Sequence, residues 1–310
     1  MRKVFGIVII LTLLLSSCAF DITRTVNGRV YIIAVGIDYQ NSFVSDLSGT
    51  VDDALEITEC FKSIYESYGV DTDIRRMIQE GEDSDETDIL YPSAENIIRA
   101  IKDIDAKPDD LLIFFYSGHG DVHWDDNNVI QSAFLAVAKV GEDGDRSLYT
   151  ELDMDTLYET LEALPCPAVA IIDACYSGGT ADNYKEPDFG ESFTTMITGA
   201  DLRGTAVIAA SQPDELSYVS TVGTEEGTRE PHSMLTISIL RELGWSHTDK
   251  VSELVEANGK IRKVNGYLRE LPSVMTVEEL FEDVENGWGS PQQHPMMLKA
   301  PAGIFIVPAF

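Results

Sequence analysis

Unbroken apolar runs alternate with stretches of helical periodicity along this chain. Val30 to Ile37, Leu111 to Tyr116 and Ala168 to Ile172 are strand-length runs with almost no polar position. Such runs mark strands covered on both faces. Ile74 to Ile78, Ala133 to Ala138 and Thr205 to Ser211 read as shorter strands, and Ile304 to Val307 as a closing one. Between them, Thr50 to Tyr68 places Val51, Ala54, Leu55, Thr58, Phe61, Ile64 and Tyr65 on one helical face, and Gly69 stops it. Ser93 should cap a helix running to about Ala106. Further helices are predicted over Asp153–Leu164, Ser233–Leu243 and Thr276–Glu285, while residues 180–203 read as a loop or short helix. Strand and helix signals in alternation predict βαβ units and an α/β fold with a mostly parallel sheet. No repeat and no Gly/Pro/Ser-rich linker divides the chain, so one domain is expected over residues 28–310, with 245–290 as a candidate insertion.

Composition narrows the function classes. The chain has 310 residues, 44% of them hydrophobic and 24% charged, which suits a buried core and excludes wholesale disorder. Lys and Arg number 22 against 53 Asp and Glu, a net charge of −31. A nucleic-acid partner needs clustered base, and there is none, so no nucleic acid is expected. Residues 80–88 hold six acids and read as a solvated loop rather than a cation site.

The first residues carry an address. Met1-Arg2-Lys3, an apolar run from Val4 to Leu15 and then Ser16-Ser17-Cys18 form an export signal, too short to span a bilayer comfortably. With Cys18 at its end, the segment looks like a bacterial lipoprotein signal, in which residues 1–17 are removed and Cys18 is acylated. The alternative is an ordinary secretion signal with an incidental cysteine. The lipoprotein reading predicts a chain exported from the cytoplasm and lipid-anchored in a bacterial cell envelope. The anchor would have to be the lipid, because so acidic a surface is repelled by anionic headgroups. Cys60, Cys166 and Cys175 remain after processing, an odd number that implies at least one free thiol.

Candidate chemistry sits past two of the buried strands. Leu111–Tyr116 runs into Ser117-Gly118-His119-Gly120, and Ala168–Ile172 into Asp173-Ala174-Cys175-Tyr176-Ser177-Gly178-Gly179. Parallel sheets bind ligands at the carboxyl ends of their strands. If the two strands are neighbours, His119 and Cys175 face one crevice as a Cys–His dyad. The imidazole would raise the thiolate population and later protonate a leaving amine. Glycines around both residues allow close backbone approach, and the N–H groups of Gly120 and Cys175 are natural oxyanion donors. Cys60, on an apolar helical face, and Cys166, between prolines, read as core thiols, with a Cys60–Cys166 disulfide left open.

These two motifs resemble the His and Cys motifs of the caspase/metacaspase peptidases, the prokaryotic branch above all. His119 stands 56 positions before Cys175, near the spacing of about fifty in caspase-type sequences. Supporting similarities are Gly36-Ile37-Asp38-Tyr39, the helix start Val51-Asp52-Asp53-Ala54, and Ala209-Ala210-Ser211-Gln212 followed by Asp214-Glu215. Two departures are Tyr176, where metacaspases have His and caspases Arg, and a helix start at Pro231-His232-Ser233 that lacks the bacterial Gly-Val-Phe-Thr pattern.

The resemblance implies a caspase-like three-layer α/β sandwich, with Ile304–Val307 as its last strand. It also implies a cysteine endopeptidase with His119 as base and Cys175 as nucleophile, acting on a peptide or protein. It makes Asp173 the acid that reads an Arg or Lys before the cut, with Asp38, Ser211 and Asp214 as further pocket residues; the alternative for Asp173 is a turn residue bonding nearby N–H groups. Functional alternatives are a catalytically silent binding module on the same fold and a peptidase that acts only on itself. No cofactor is expected. Because some metacaspases need calcium, a calcium ion near His123, Trp124, Asp125 and Asp126 stays open, although no EF-hand pattern is present and no metal ligand is assigned.

Overall fold

The computed structural model describes residues 28–40, 44–81, 87–126, 130–139, 149–175, 204–211, 217–223, 229–299 and 303–308. The export segment with Cys18, the turn at 141–146, the stretch 180–203, Tyr176–Gly179, Gln212 and Asp214 lie outside them. In chain order the elements are β1 (Val30–Ile37), α1 (Thr50–Ser67), β2 (Thr72–Gln79), α2 (Ala94–Lys102), β3 (Leu111–Trp124), β4 (Ile130–Ala138), β5 (Tyr149–Asp153), α3 (Met154–Glu162), β6 (Ala168–Cys175) and β7 (Thr205–Ala209). They continue as β8 (Val219–Gly223), β9 (Arg229–Ser233), α4 (Met234–Glu242), β10 (Trp245–Ser246), β11 (Ser252–Ala257), β12 (Lys260–Asn265), β13 (Tyr267–Leu268), β14 (Met275–Thr276), α5 (Val277–Asn286), β15 (Met296–Lys299) and β16 (Phe305–Val307).

The main sheet runs β15-β7-β6-β3-β1-β2, parallel except for β15, which pairs antiparallel to β7 with an irregularity between Met297 and Lys299. Alternation along its strands divides the core into two layers. Ile32, Ala34, Ile113, Phe115, Val169 and Ile171 face α1, α4 and α5, whereas Ile33, Val35, Leu112, Phe114, Ala170 and Ile172 face α2 and α3. A mostly parallel sheet between two helical layers is the predicted α/β sandwich.

The predicted helices form with their caps. Ser93 accepts from Asn96 N, Asp153 from Thr156 N, and Thr276 with Glu279 completes a capping box. Helix α2 ends at Lys102 rather than near Ala106, its C-cap Asp103 N–H closing on Arg99 O. Residues 245–290 hold β10–β14 and α5, and Val255, Val264, Leu280 and Phe281 share the core of α1 and α4.

Three strand expectations need correction. Ile304–Val307 does close the chain as a strand, β16, but it pairs with β14 outside the main sheet, whose edge β15 takes. The strands bearing the candidate dyad are also longer than their apolar runs. β6 reaches Cys175, and β3 continues through Ser117–Trp124 because its far half pairs antiparallel with β4. The polar and glycine positions read as loop are therefore strand, stabilised by a neighbour that a sequence window does not contain. Cys60 and Cys166 are free and lie in opposite core layers, on either side of the sheet, so they form no disulfide. Among the described residues no helix is long and apolar enough to cross a membrane.

Candidate functional site

Strands β3 and β6 are neighbours, in a register that pairs Ser117 with Asp173, Gly118 with Ala174 and His119 with Cys175. The two candidate catalytic residues are therefore directly opposite each other at the carboxyl end of the sheet. On its other side β3 changes partner: pairing with β1 ends at Gly36–Ser117, and pairing with β4 begins at Gly120–Leu135. Gly118 and His119 fall in the gap between the two ladders.

Two tyrosine hydroxyls fill that gap. His119 N donates to Tyr39 Oη at 2.8 Å, and Tyr116 Oη donates to His119 O at 2.7 Å. The hydroxyls lie 2.9 Å apart and share Ala136 O, at 2.5 Å from Tyr39 and 2.8 Å from Tyr116. A Cβ on Gly118 would come within 2.6 and 2.7 Å of them, so a larger residue there would have to push them aside. Tyr39, held in the left-handed region at φ 59°, also sets its ring 4.6 Å from the His119 ring.

The imidazole is oriented from its far side. His119 Nε2 lies 2.7 Å from Ser45 O in the loop before α1. A carbonyl only accepts, so Nε2 carries the proton and Nδ1 keeps a free lone pair. Burial lowers the His119 pKa from its ordinary value, against the Ser45 bond and the charge of Asp121. The shift favours the neutral ring, which has the Nδ1 lone pair a proton acceptor needs.

Beneath this edge lies a buried acidic network. Asp173 Oδ2 accepts from Ser233 Oγ (2.6 Å), Thr236 Oγ1 (2.7 Å) and Thr236 N (3.0 Å) at the start of α4, and Oδ1 from Ser217 Oγ at 3.3 Å. Asp53 of α1 shares Ser233 Oγ (2.5 Å), accepts from Ser117 Oγ (3.0 Å) and faces His232 Nδ1 at 2.8 Å. Burial, then the nearby Asp53 charge, pushes Asp173 up to about 6. His232 is lowered by burial but held up at about 9 by its Asp53 bond and the surrounding carboxylates.

The remaining pocket candidates are dispersed. Asp38 accepts from Gln40 N and Gly81 N, tying the end of β1 to the end of β2. Ser211 is fully buried, and its Oγ has no partner among the described residues. Gly120 is buried in the β3–β4 ladder. His123 pairs with the exposed Glu151 at 2.8 Å across the same extension. A separate cleft of about 600 Å³ beside Arg29, Asp71 and Lys107 lies at the opposite, amino-terminal ends of the strands.

Asp53 is a site residue that the helix-start motif alone does not assign. The available signal was the spacing Asp53, Glu56, Glu59, three acids one turn apart inside a helix whose neighbours at 54, 55, 57, 60 and 61 are apolar. All three are buried.

Comparisons with known proteins bear on the family and the fold. A caspase-domain family model matches residues 29–278. Metacaspase-6 of Arabidopsis thaliana is 29% identical over 167 residues, covering 52% of this chain and 41% of that protein. Metacaspase-4 of the same plant is 30% identical over 173 residues, covering 52% and 36%. Metacaspase-1 of Schizosaccharomyces pombe is 26% identical over 164 residues, covering 51% and 36%. The matched stretches span about two-fifths of the length of these relatives. The crystal structure of protein GSU0716 from Geobacter sulfurreducens superposes with a TM-score of 0.52 over 89% of this chain and 98% of that one, at 15% identity, a likeness of fold alone.

Proposed function

Because the chain belongs to the caspase-domain family, we propose that it is a cysteine endopeptidase working through His119 and Cys175, cutting after Arg or Lys. The observation that carries this reading is the register that sets His119 opposite Cys175, with Nδ1 of the imidazole not engaged by any of the described residues. In the proposed reaction, Nδ1 takes the Cys175 thiol proton and the sulfur attacks the scissile carbonyl. The N–H groups of Gly120 and Cys175 receive the oxyanion. The imidazolium then protonates the leaving amine, and water, deprotonated by the same ring, hydrolyses the thioester.

Basic specificity is supported by two carboxylates under the strand ends, Asp173 and Asp53, joined through Ser233 Oγ. A guanidinium or ammonium arriving there offsets their mutual repulsion, whereas an acidic side chain adds to it. We further propose that residues 1–17 are removed and that acylated Cys18 holds the enzyme in a bacterial envelope.

Peptide-library profiling of purified protein tests the activity. Cys175→Ala and His119→Ala should each abolish cleavage, and retained activity in either removes the dyad. Asp173→Asn should cost about 2–5 kcal/mol on Arg and Lys peptides, roughly thirtyfold to several thousandfold. Reaction with a small uncharged thiol reagent should change far less. Preference for Asp or an apolar residue would end the basic-specificity reading and leave the dyad standing. Cys18→Ser should release the protein from membranes, and unchanged membrane association would refute the lipid anchor.

A further inference from the structure

A second cluster lies on the α1 side of the sheet, joined to the acidic network through His232 alone. Glu56 from α1, Glu230 and His232 from β9, and His247 just after β10 each bring one ligand atom within 4.8 Å of the others. His247 sits between two carboxylates, with Nδ1 3.0 Å from Glu56 Oε1 and Nε2 2.9 Å from Glu230 Oε2. His232 is 1% exposed and turns Nδ1 to Asp53. Its Nε2 is buried without a hydrogen-bond partner among the described residues, 3.8 Å from Glu56 Oε1. A buried ring nitrogen left this way is costly unless something completes it. A cavity of about 270 Å³ bordered by Glu56, His232, Trp245 and His247 adjoins the cluster.

We propose that Glu56, Glu230, His232 and His247 bind one divalent transition-metal cation, with zinc the best match. Two imidazole nitrogens and two carboxylate oxygens make a four-donor set of the kind zinc takes tetrahedrally, whereas calcium and magnesium favour oxygen alone. A dication that displaces the ring protons leaves two carboxylates with two neutral imidazoles, whose charge it cancels. Bonds of about 2.0–2.1 Å would draw the donors in from their present spread to about 3.3 Å apart.

The surroundings are those of a ligating histidine. Asp53 stands behind His232 as the carboxylate that fixes the ring with Nε2 toward the metal, the usual support for such a ligand. Asp53 also shares Ser233 Oγ with Asp173. A bound cation would thus be linked through His232, Asp53 and Ser233 to the acid beneath Cys175.

The full chain, stripped of metal with a chelator, can be titrated with zinc chloride against a chromophoric chelator, and with cobalt chloride followed by visible absorption. One equivalent of zinc should bind and raise the melting temperature, and cobalt should give the intense bands of a four-coordinate site. Loss of a group that only holds a ligand in place weakens metal sites about 10–100-fold. His247→Gln and Glu230→Gln, both checked for folding by circular dichroism, should therefore each weaken zinc by at least about a hundredfold. Cys175→Ala should keep the full equivalent. No stoichiometric binding, unchanged affinity in both ligand variants, or loss of binding in Cys175→Ala would overturn the assignment. Displacement of zinc by millimolar calcium would overturn the choice of metal class.

Discussion

Tyr39→Phe removes one oxygen and keeps the ring, so it isolates the hydroxyl that spans the gap in β3. The backbone at φ 59° and the ring contact with His119 are retained. What disappears is the acceptor for His119 N and one of the two donors to Ala136 O. Tyr116 Oη has one proton to divide between Ala136 O and His119 O, so the main loss is the His119 N–H, which no strand partner can replace at this position, and the two carbonyls then compete for the remaining hydroxyl. An orphaned donor of this kind costs about 1–3 kcal/mol. Taking about 2 kcal/mol, and 2–4 °C per kcal/mol for a large domain, the melting temperature should fall by about 4–8 °C. The peptide that carries the imidazole is then held only through its carbonyl. Misplacement by about 1 Å can cost a hundredfold in rate, so kcat should drop about 10–100-fold with KM little changed. Gly118→Ala should do more, since its Cβ would press on both hydroxyls; overpacking of this kind adds about 1–3 kcal/mol. Calorimetry and peptide hydrolysis on the same preparations are the assay. A Tyr39→Phe protein that melts and turns over like wild type would refute the tyrosine bridge.

Three further outcomes are expected. Because burial lowers His119, the acid limb of kcat/KM should have its midpoint below pH 6.5, and Asp121→Asn, which removes a charge that raises the ring, should move it lower still; a limb at or above 6.5 would count against a buried neutral base. Asp173 titrates near 6 in the fold against an ordinary value of 3.8, so its stabilising contribution is complete below about pH 4 and is lost as pH rises through about 6. Relative to wild type, Asp173→Asn should therefore gain melting temperature between pH 4 and pH 7, and a constant difference would refute the raised carboxyl. Burial pushes the Cys166 thiol up to about 11 and Cys60 higher still, so mass spectrometry after alkylation of the native protein should find both unlabelled, with two further adducts on denaturation.

The sequence made legible what is buried on both faces. β1 and the first halves of β3 and β6 announce themselves as apolar runs, and Ser93, Asp153 and Thr276 mark helix starts by their side-chain chemistry. The juxtaposition of His119 and Cys175 was readable only on the condition that their strands pair, because register is a tertiary fact. Beyond the apolar runs the signal fades: Asp121 to Trp124 is strand by virtue of β4, and the β8–β9 and β11–β12 hairpins are half-exposed ribbons with mixed patterns. The buried acids of α1 were illegible for another reason. Their partners lie far along the chain, His232 at 179 positions from Asp53 and His247 at 191 from Glu56. No local window contains both halves of either pair.

The two margins of the main sheet bear on how copies of this chain behave in a crowded compartment. An open strand margin is a template for another copy, and polymerisation through it is the common hazard of parallel sheets. At one margin, β2 carries Asp73, Arg75 and Arg76, and Arg76 is engaged with the buried Glu59. At the other, β15 is four residues long, runs against its neighbour, is irregular between Met297 and Lys299, and ends in a lysine. Charge on one side and a short, distorted strand on the other leave little straight backbone for a second sheet to extend. The fold thus carries its own protection against fibrous aggregation, and straightening β15 or neutralising Arg75 would expose the chain to it.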